Sequence, residues 1–116
     1  TLTSSQGAHM LGPLFESLVT LSVRVAAQAA EATVSHLRTK KGDHEVDLIV
    51  QGSEGEVLGI EVKLAPVITD TDVRHLLWLR DKMPDSVTNL VVITTGTQVY
   101  RRTDGVLVLP LSMLAE

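Results

Sequence analysis

The 116-residue chain has no cysteine. Disulfides and thiolate zinc sites are therefore excluded, which fits a reducing, cytoplasmic setting. Aromatics make up only 3% of it, against 44% hydrophobic residues in all, so the core must be built from Val, Leu, Ile and Ala. No apolar run approaches the ~20 residues of a membrane span. The segment Thr1 to Met10 is polar and has no basic flank, so it does not read as a signal peptide. Basic surplus is missing as well. The net charge of −4 counts against strong autonomous binding of duplex nucleic acid. The glycines from Gly52 to Gly55 are not followed by Lys and Ser/Thr, so this piece binds no ATP through a phosphate loop. Repeats and low-complexity segments are also lacking.

The chain does carry the periodicities of one α/β domain. Residues 1–11 read as a lead-in, and Gly7-Ala8-His9-Met10 is either native or an expression-tag remnant. The domain proper is expected over residues 12–116. Gly12-Pro13 opens a helix expected to reach Ala32, with Pro13 in the first turn, where no N–H bond is lost. Leu14, Leu18, Leu21, Val25 and Ala29 form its expected buried stripe. Ser17, Thr20, Arg24, Gln28 and Glu31 form its wet face, with Glu16 nearer the opposite side. Strands follow at 33–38, 45–51 and 57–64, the last two joined by Gly52-Ser53-Glu54-Gly55. Thr69-Asp70-Thr71-Asp72 offers caps for a second helix over 72–82, stopped by Met83-Pro84. Leu90 to Thr94 is apolar enough for a buried, parallel strand. Short strands near 98–101 and 106–109 and a last helix from Pro110 complete the order. A helix so near the start is expected of a module within a longer chain.

Polar residues inside two of these strands are the chemical signal. Glu45-Val46-Asp47-Leu48-Ile49-Val50 and Leu58-Gly59-Ile60-Glu61-Val62-Lys63-Leu64 each place acids among residues of buried type. Alternation puts Glu61 and Lys63 on one face, with Ile60, Val62 and Leu64 on the other, and sets Asp47 opposite to both Val46 and Leu48. An odd connecting loop brings Asp47 and Glu61 to one face, and an even loop separates them. Together they suit a hard dication such as Mg²⁺ or Mn²⁺, which takes one or two carboxylates and keeps several waters. Lys63 would then act on the attacking water or the phosphoryl charge. The plain alternative is a solvated strand face with a cross-strand ion pair, and the residues alone leave both readings open.

With Glu16 on a first helix, Asp47 on the second strand and Glu61-Val62-Lys63 on the third, the chain resembles the PD-(D/E)XK nuclease superfamily. More narrowly, four segments and the ending resemble the C-terminal domain of unknown function, DUF4143, of bacterial and archaeal AAA-type ATPases. The segments are Gly12-Pro13-Leu14-Phe15-Glu16-Ser17-Leu18-Val19, Leu37-Arg38-Thr39, Glu45-Val46-Asp47-Leu48 and Ile60-Glu61-Val62-Lys63. The ending is Val108-Leu109-Pro110-Leu111-Ser112-Met113-Leu114. The resemblance implies a restriction-endonuclease-like mixed sheet flanked by helices. It implies Asp47 and Glu61 as metal ligands, Lys63 as the catalytic lysine, Glu16 as a helix-borne acid and the Val62 carbonyl as a backbone ligand. The implied activity is Mg²⁺-dependent phosphodiester cleavage. The alternative is a silent docking or dimerisation module of the ATPase.

The remaining features are less pointed. Arg38, Lys40 and Lys41, and likewise Arg101-Arg102, are solvated turns or phosphate-steering clusters. His9, His36, His44 and His75 show no metal-binding spacing, although His44, just before Glu45 and Asp47, could face a phosphate. Trp78 is expected in the core or in a subunit contact. The expected partner surface is therefore DNA or RNA held weakly, with an ATPase domain or a second copy alongside, and no membrane.

Overall fold

Two apolar cores on opposite faces of one sheet organise the molecule. The computed structural model describes residues 5–114, and of residues 5–10 the backbone alone. The elements run α1 (Ser5–Ala29), β1 (Thr33–Arg38), β2 (Glu45–Gln51), β3 (Val57–Lys63), a 3₁₀ turn (Thr71–Val73), α2 (Arg74–Lys82), β4 (Val87–Thr94), β5 (Tyr100–Arg101), β6 (Leu107–Pro110) and a closing 3₁₀ turn (Leu111–Leu114). The strands form one mixed sheet in the order β1-β2-β3-β4-β6-β5. β1, β2 and β3 are antiparallel neighbours, whereas β3, β4 and β6 run parallel. The expected α/β class, element order and buried parallel strand are all present. No described helix is long and apolar enough to cross a membrane.

One face of the sheet packs against α1 through Phe15, Val19 and Val23, which meet Leu48, Ile60, Val62, Val91 and Ile93. The other packs against α2 and the 3₁₀ turn before it, where Val73 of the turn and Leu76 and Leu79 of α2 meet Val46, Val57, Leu90, Val92 and Val108. Gly59 makes this second contact close, because a Cβ there would lie 3.0 Å from Leu79 and 3.1 Å from Leu90.

The long helix departs from expectation in three ways. It begins upstream of Gly12, so Pro13 lies inside it and forfeits a ladder bond instead of occupying a free first turn. It ends three residues early. Glu31 turns left-handed at φ 57°, and the N–H groups of Ala32 and Glu31 close back on the carbonyls of Ala27 and Gln28 in a Schellman cap. Its buried stripe is Phe15, Val19, Val23 and Ala27, not the leucines, and Leu14, Leu18, Leu21 and Val25 are exposed on the flank. Both stripes have helical spacing. The sheet accepts the one with smaller β-branched residues and a single Phe.

α2 is also shorter than expected. Asp72 does not cap it. Instead its carboxylate accepts bonds from the Thr69 N–H and hydroxyl, which closes the 3₁₀ turn. Those bonds, the backbone one foremost, hold the Asp72 carboxyl below its ordinary range.

A candidate acid-pair site at the end of beta2 and beta3

Register comes first. Gln51 pairs with Val57, and the Gly52 N–H donates to the Glu56 carbonyl, leaving a three-residue loop of Ser53, Glu54 and Gly55. Gly55 sits at φ 87°, the left-handed position this loop type requires. The loop is therefore odd. Leu48 lies opposite Ile60, and one step further along Asp47 comes level with Glu61.

A bulge then re-aims Asp47. The β1–β2 register slips between Ser35 and Leu37, so β2 carries one residue more than β1 across that stretch. Val46 consequently belongs to the α2-side core and Leu48 to the α1-side core. Strict alternation, which would set Asp47 opposite to both, fails here because Asp47 is the inserted residue. Beyond Leu48–Ile60 the β2–β3 ladder lapses, and the Asp47 Oδ2 takes over as acceptor of the Val62 N–H at 2.8 Å. In an extended strand a residue's N–H and C=O point to the same side, so the Val62 carbonyl also faces Asp47.

Glu61 alternates with Ile60 and Val62, so it lies on the α2 face. It is 6% exposed, and its Oε1 is buried without a hydrogen-bond partner among the described residues. Burial, and then the Asp47 carboxylate beside it, push its carboxyl up to about 8, with Lys63 opposing. Lys63 shares the face, and its Nζ lies 3.8 Å from the Asp72 Oδ1, too far for more than a loose ion pair. Asp47, Glu61, Val62 and Lys63 thus come together.

Glu16 does not join them. Although α1 passes the same end of the sheet, with Gly12 beside Leu64, it packs on the opposite face. Glu16 itself is exposed beside Ser17 and Thr20, with no bond to the acid pair. Among the described residues, no three His, Asp or Glu side chains converge as a ready metal cage. The two carboxylates and the Val62 carbonyl are nonetheless oxygen donors that could hold a cation, and the Glu61 Oε1 is buried without a partner among the described residues. That set suits Mg²⁺ or Mn²⁺, which retain most of their waters.

The surroundings divide the remaining expectations. Lys40 and Lys41 are exposed in the β1–β2 turn, at the same end of the sheet as Asp47. Arg102 is not a free cation. It pairs with Asp70 and Asp104 and donates to the Ile68 carbonyl; although burial works against its charge, these partners raise its pKa further. Arg101 donates to the Gly105 carbonyl and Asn89. Beyond Lys63, at Thr94 on β4, a cavity of about 560 Å³ opens between Pro66, Gly96, Gln98 and Tyr100. Sequence reading missed both the cavity and the pairing of His44 with His75, because each joins residues far apart in the chain.

No curated protein and no solved structure matches the chain. A family model described as "Domain of unknown function (DUF4143)" matches residues 11–114, which takes in α1 from residue 11 onward, all of α2 and all six strands of the sheet. The chain belongs to the DUF4143 family.

Proposed function

We propose that this domain is a Mg²⁺-dependent nuclease module of the PD-(D/E)XK kind, hydrolysing phosphodiesters on a restriction-endonuclease-like core. The observation that carries the reading is the Asp47–Glu61 pair, with the buried, partnerless Oε1 of Glu61 and with Lys63 on the same face. Two acids held together at the edge of a core are costly without a counter-charge. Asp47 and Glu61 would hold the dication, with the Val62 carbonyl aimed at the same gap. A bound Mg²⁺ supplies an activated water and charge neutralisation at the phosphoryl group. Lys63 is only loosely tied to Asp72, so it can turn towards that water or the developing phosphoryl charge. Lys40 and Lys41 attract the polyanion, and the net charge of −4 keeps that attraction weak and salt-sensitive.

The test is cleavage of mixed DNA and RNA substrates in Mg²⁺ or Mn²⁺, by the domain and by its parent chain. Lys63→Ala is expected to abolish cutting while leaving Mn²⁺ binding intact by calorimetry. Asp47→Asn is expected to abolish both. No cutting by the wild-type parent chain on any substrate would overturn the reading.

One observation favours a second reading. Leu14, Leu18, Leu21 and Val25 run along an exposed flank of α1, with exposures from 46% to 61%. A silent module that docks on an ATPase domain, or on its own copy, would use such a stripe.

A further inference from the structure

The edge where β2 leaves the β1–β2 turn meets α2 through two histidines. His44 precedes β2, and His75 lies in the first turn of α2. Their Nδ1 atoms are 3.2 Å apart, with the rings nearly perpendicular at 85°. His44 is fixed from three directions. Its N–H donates to the Thr39 hydroxyl at 3.2 Å, its carbonyl accepts from the Thr39 N–H at 3.0 Å, and its ring stacks on Trp78 at 4.3 Å and 9°. His75 and Trp78 are three residues apart on α2, so one helix face positions both partners of His44. Neither Nδ1 has another hydrogen-bond partner among the described residues.

We propose that His44 and His75 form a two-imidazole chelate for a borderline divalent transition metal such as Zn²⁺ or Ni²⁺, distinct from the acid pair. Two nitrogens each ~2.0–2.1 Å from a tetrahedral ion lie about 3.3 Å apart, close to the separation here. Imidazole nitrogen selects Zn²⁺, Ni²⁺ or Cu²⁺ over hard cations. Lys63 and Arg74 act on His75 as cations and Glu45 as an anion, so the surroundings are not an anionic trap. An ion must therefore be held by nitrogen donation, which Mg²⁺ does not accept well. Burial, followed by the charge of Arg74, lowers the pKa of His75, which keeps its lone pair available at neutral pH. The other coordination positions fall to water, because among the described residues no third His, Asp or Glu converges with the pair.

Trp78 is the only tryptophan and touches one of the ligands, so it reports the site directly. The experiment is a Ni²⁺ titration of the whole chain at about pH 7.5, followed by Trp78 fluorescence. Saturable quenching is expected, reversed by Zn²⁺ competition and unaffected by Mg²⁺. His75→Ala and His75→Gln, which leave the His44–Trp78 stack in place, are expected to weaken Ni²⁺ binding by roughly tenfold or more. Asp47→Asn and His36→Ala are expected to leave it unchanged, which separates this site from the acid pair. Lowering the pH to about 5.5 should weaken binding, because protons compete for the same lone pairs. No saturable quenching up to about 1 mM Ni²⁺, or quenching indifferent to both His75 variants, would show that the contact is an imidazole–imidazole hydrogen bond and nothing more.

Discussion

Replacing Glu61 by Gln should change the pH dependence of stability more than the stability itself. In the folded chain the Glu61 carboxyl titrates near 8, whereas its ordinary value is 4.5. Between those values the folded state holds one proton that the unfolded state has released. Stability therefore falls as pH rises, by about 1.36 kcal/mol per pH unit. The contribution is complete below about pH 4.5 and gone above about pH 8, a total of roughly 5 kcal/mol as an upper bound. Two facts make the conversion legitimate: Glu61 is 6% exposed, and the charges facing it are Asp47 and Lys63. The glutamine amide of the Glu61→Gln chain cannot ionise, so the variant should lack this slope. The assay is urea denaturation followed by circular dichroism from about pH 5 to 9 with a chelator present. The difference between wild type and variant is the quantity to plot, since titrating groups that do not face Glu61 are common to both chains and cancel, leaving Glu61 and its coupling to Asp47 and Lys63. The variant should gain on wild type by several kcal/mol across the window. Excess Mg²⁺ should close part of the gap at alkaline pH by stabilising only the wild type. Parallel curves for the two chains would refute the reasoning, because Glu61 would then ionise in the fold as easily as in water.

Other substitutions test neighbouring steps. Asp47→Asn keeps an acceptor for the Val62 N–H, whereas Asp47→Ala does not, so Ala should cost about 1–3 kcal/mol more in urea melts. Leu18→Lys on the exposed flank of α1 should move stability by no more than ~0.5 kcal/mol, while Phe15→Ala on the buried stripe should cost about 3–5 kcal/mol in thermal or urea unfolding. Gly59→Ala forces a methyl against Leu79, Leu90 and Leu76 and should cost about 1–3 kcal/mol by the same measurement.

How much of this was legible depends on how local the cause is. The bounds of β1 and β2 follow from their residues, and the loop from Gly52 to Gly55 announces a tight hairpin. The sequence left the parity of that loop open. The left-handed Gly55 settles it as odd, and Asp47 and Glu61 come level as a result. The orientation of α1 was not legible. Two apolar stripes, Leu14-Leu18-Leu21-Val25 and Phe15-Val19-Val23-Ala27, satisfy the helical period equally well. Only the shape of the opposing sheet chooses between them, and that choice also decides where Glu16 points. The His44–His75 contact was equally hidden, since 31 residues separate its members.

The bulge at Asp47 ties these observations into one physical account. A regular β2 would present Val46 to Val62 and complete the ladder with backbone bonds. The inserted residue moves Val46 away, and a side-chain carboxylate fills the vacated acceptor role. That substitution brings a second acid beside Glu61, which is already buried, and raises its pKa further. The arrangement sacrifices stability above neutral pH at one point of the sheet, with Lys63 as the nearest compensating charge. A purely structural strand would gain by replacing Asp47 with a residue that leaves the ladder intact. Retaining a bulge, two acids and a loosely held lysine at one sheet end makes sense if a cation binds there, because only a bound cation turns the mutual repulsion of the acids into affinity. The same reasoning leaves Glu16 out of the immediate surroundings of the proposed cation. Glu16→Gln should accordingly leave Mn²⁺ affinity within about twofold of wild type by calorimetry, whereas Glu61→Gln should lower it by roughly tenfold or more. Equal losses from the two substitutions would overturn this assignment, because Glu16 would then matter to the cation as much as Glu61 does.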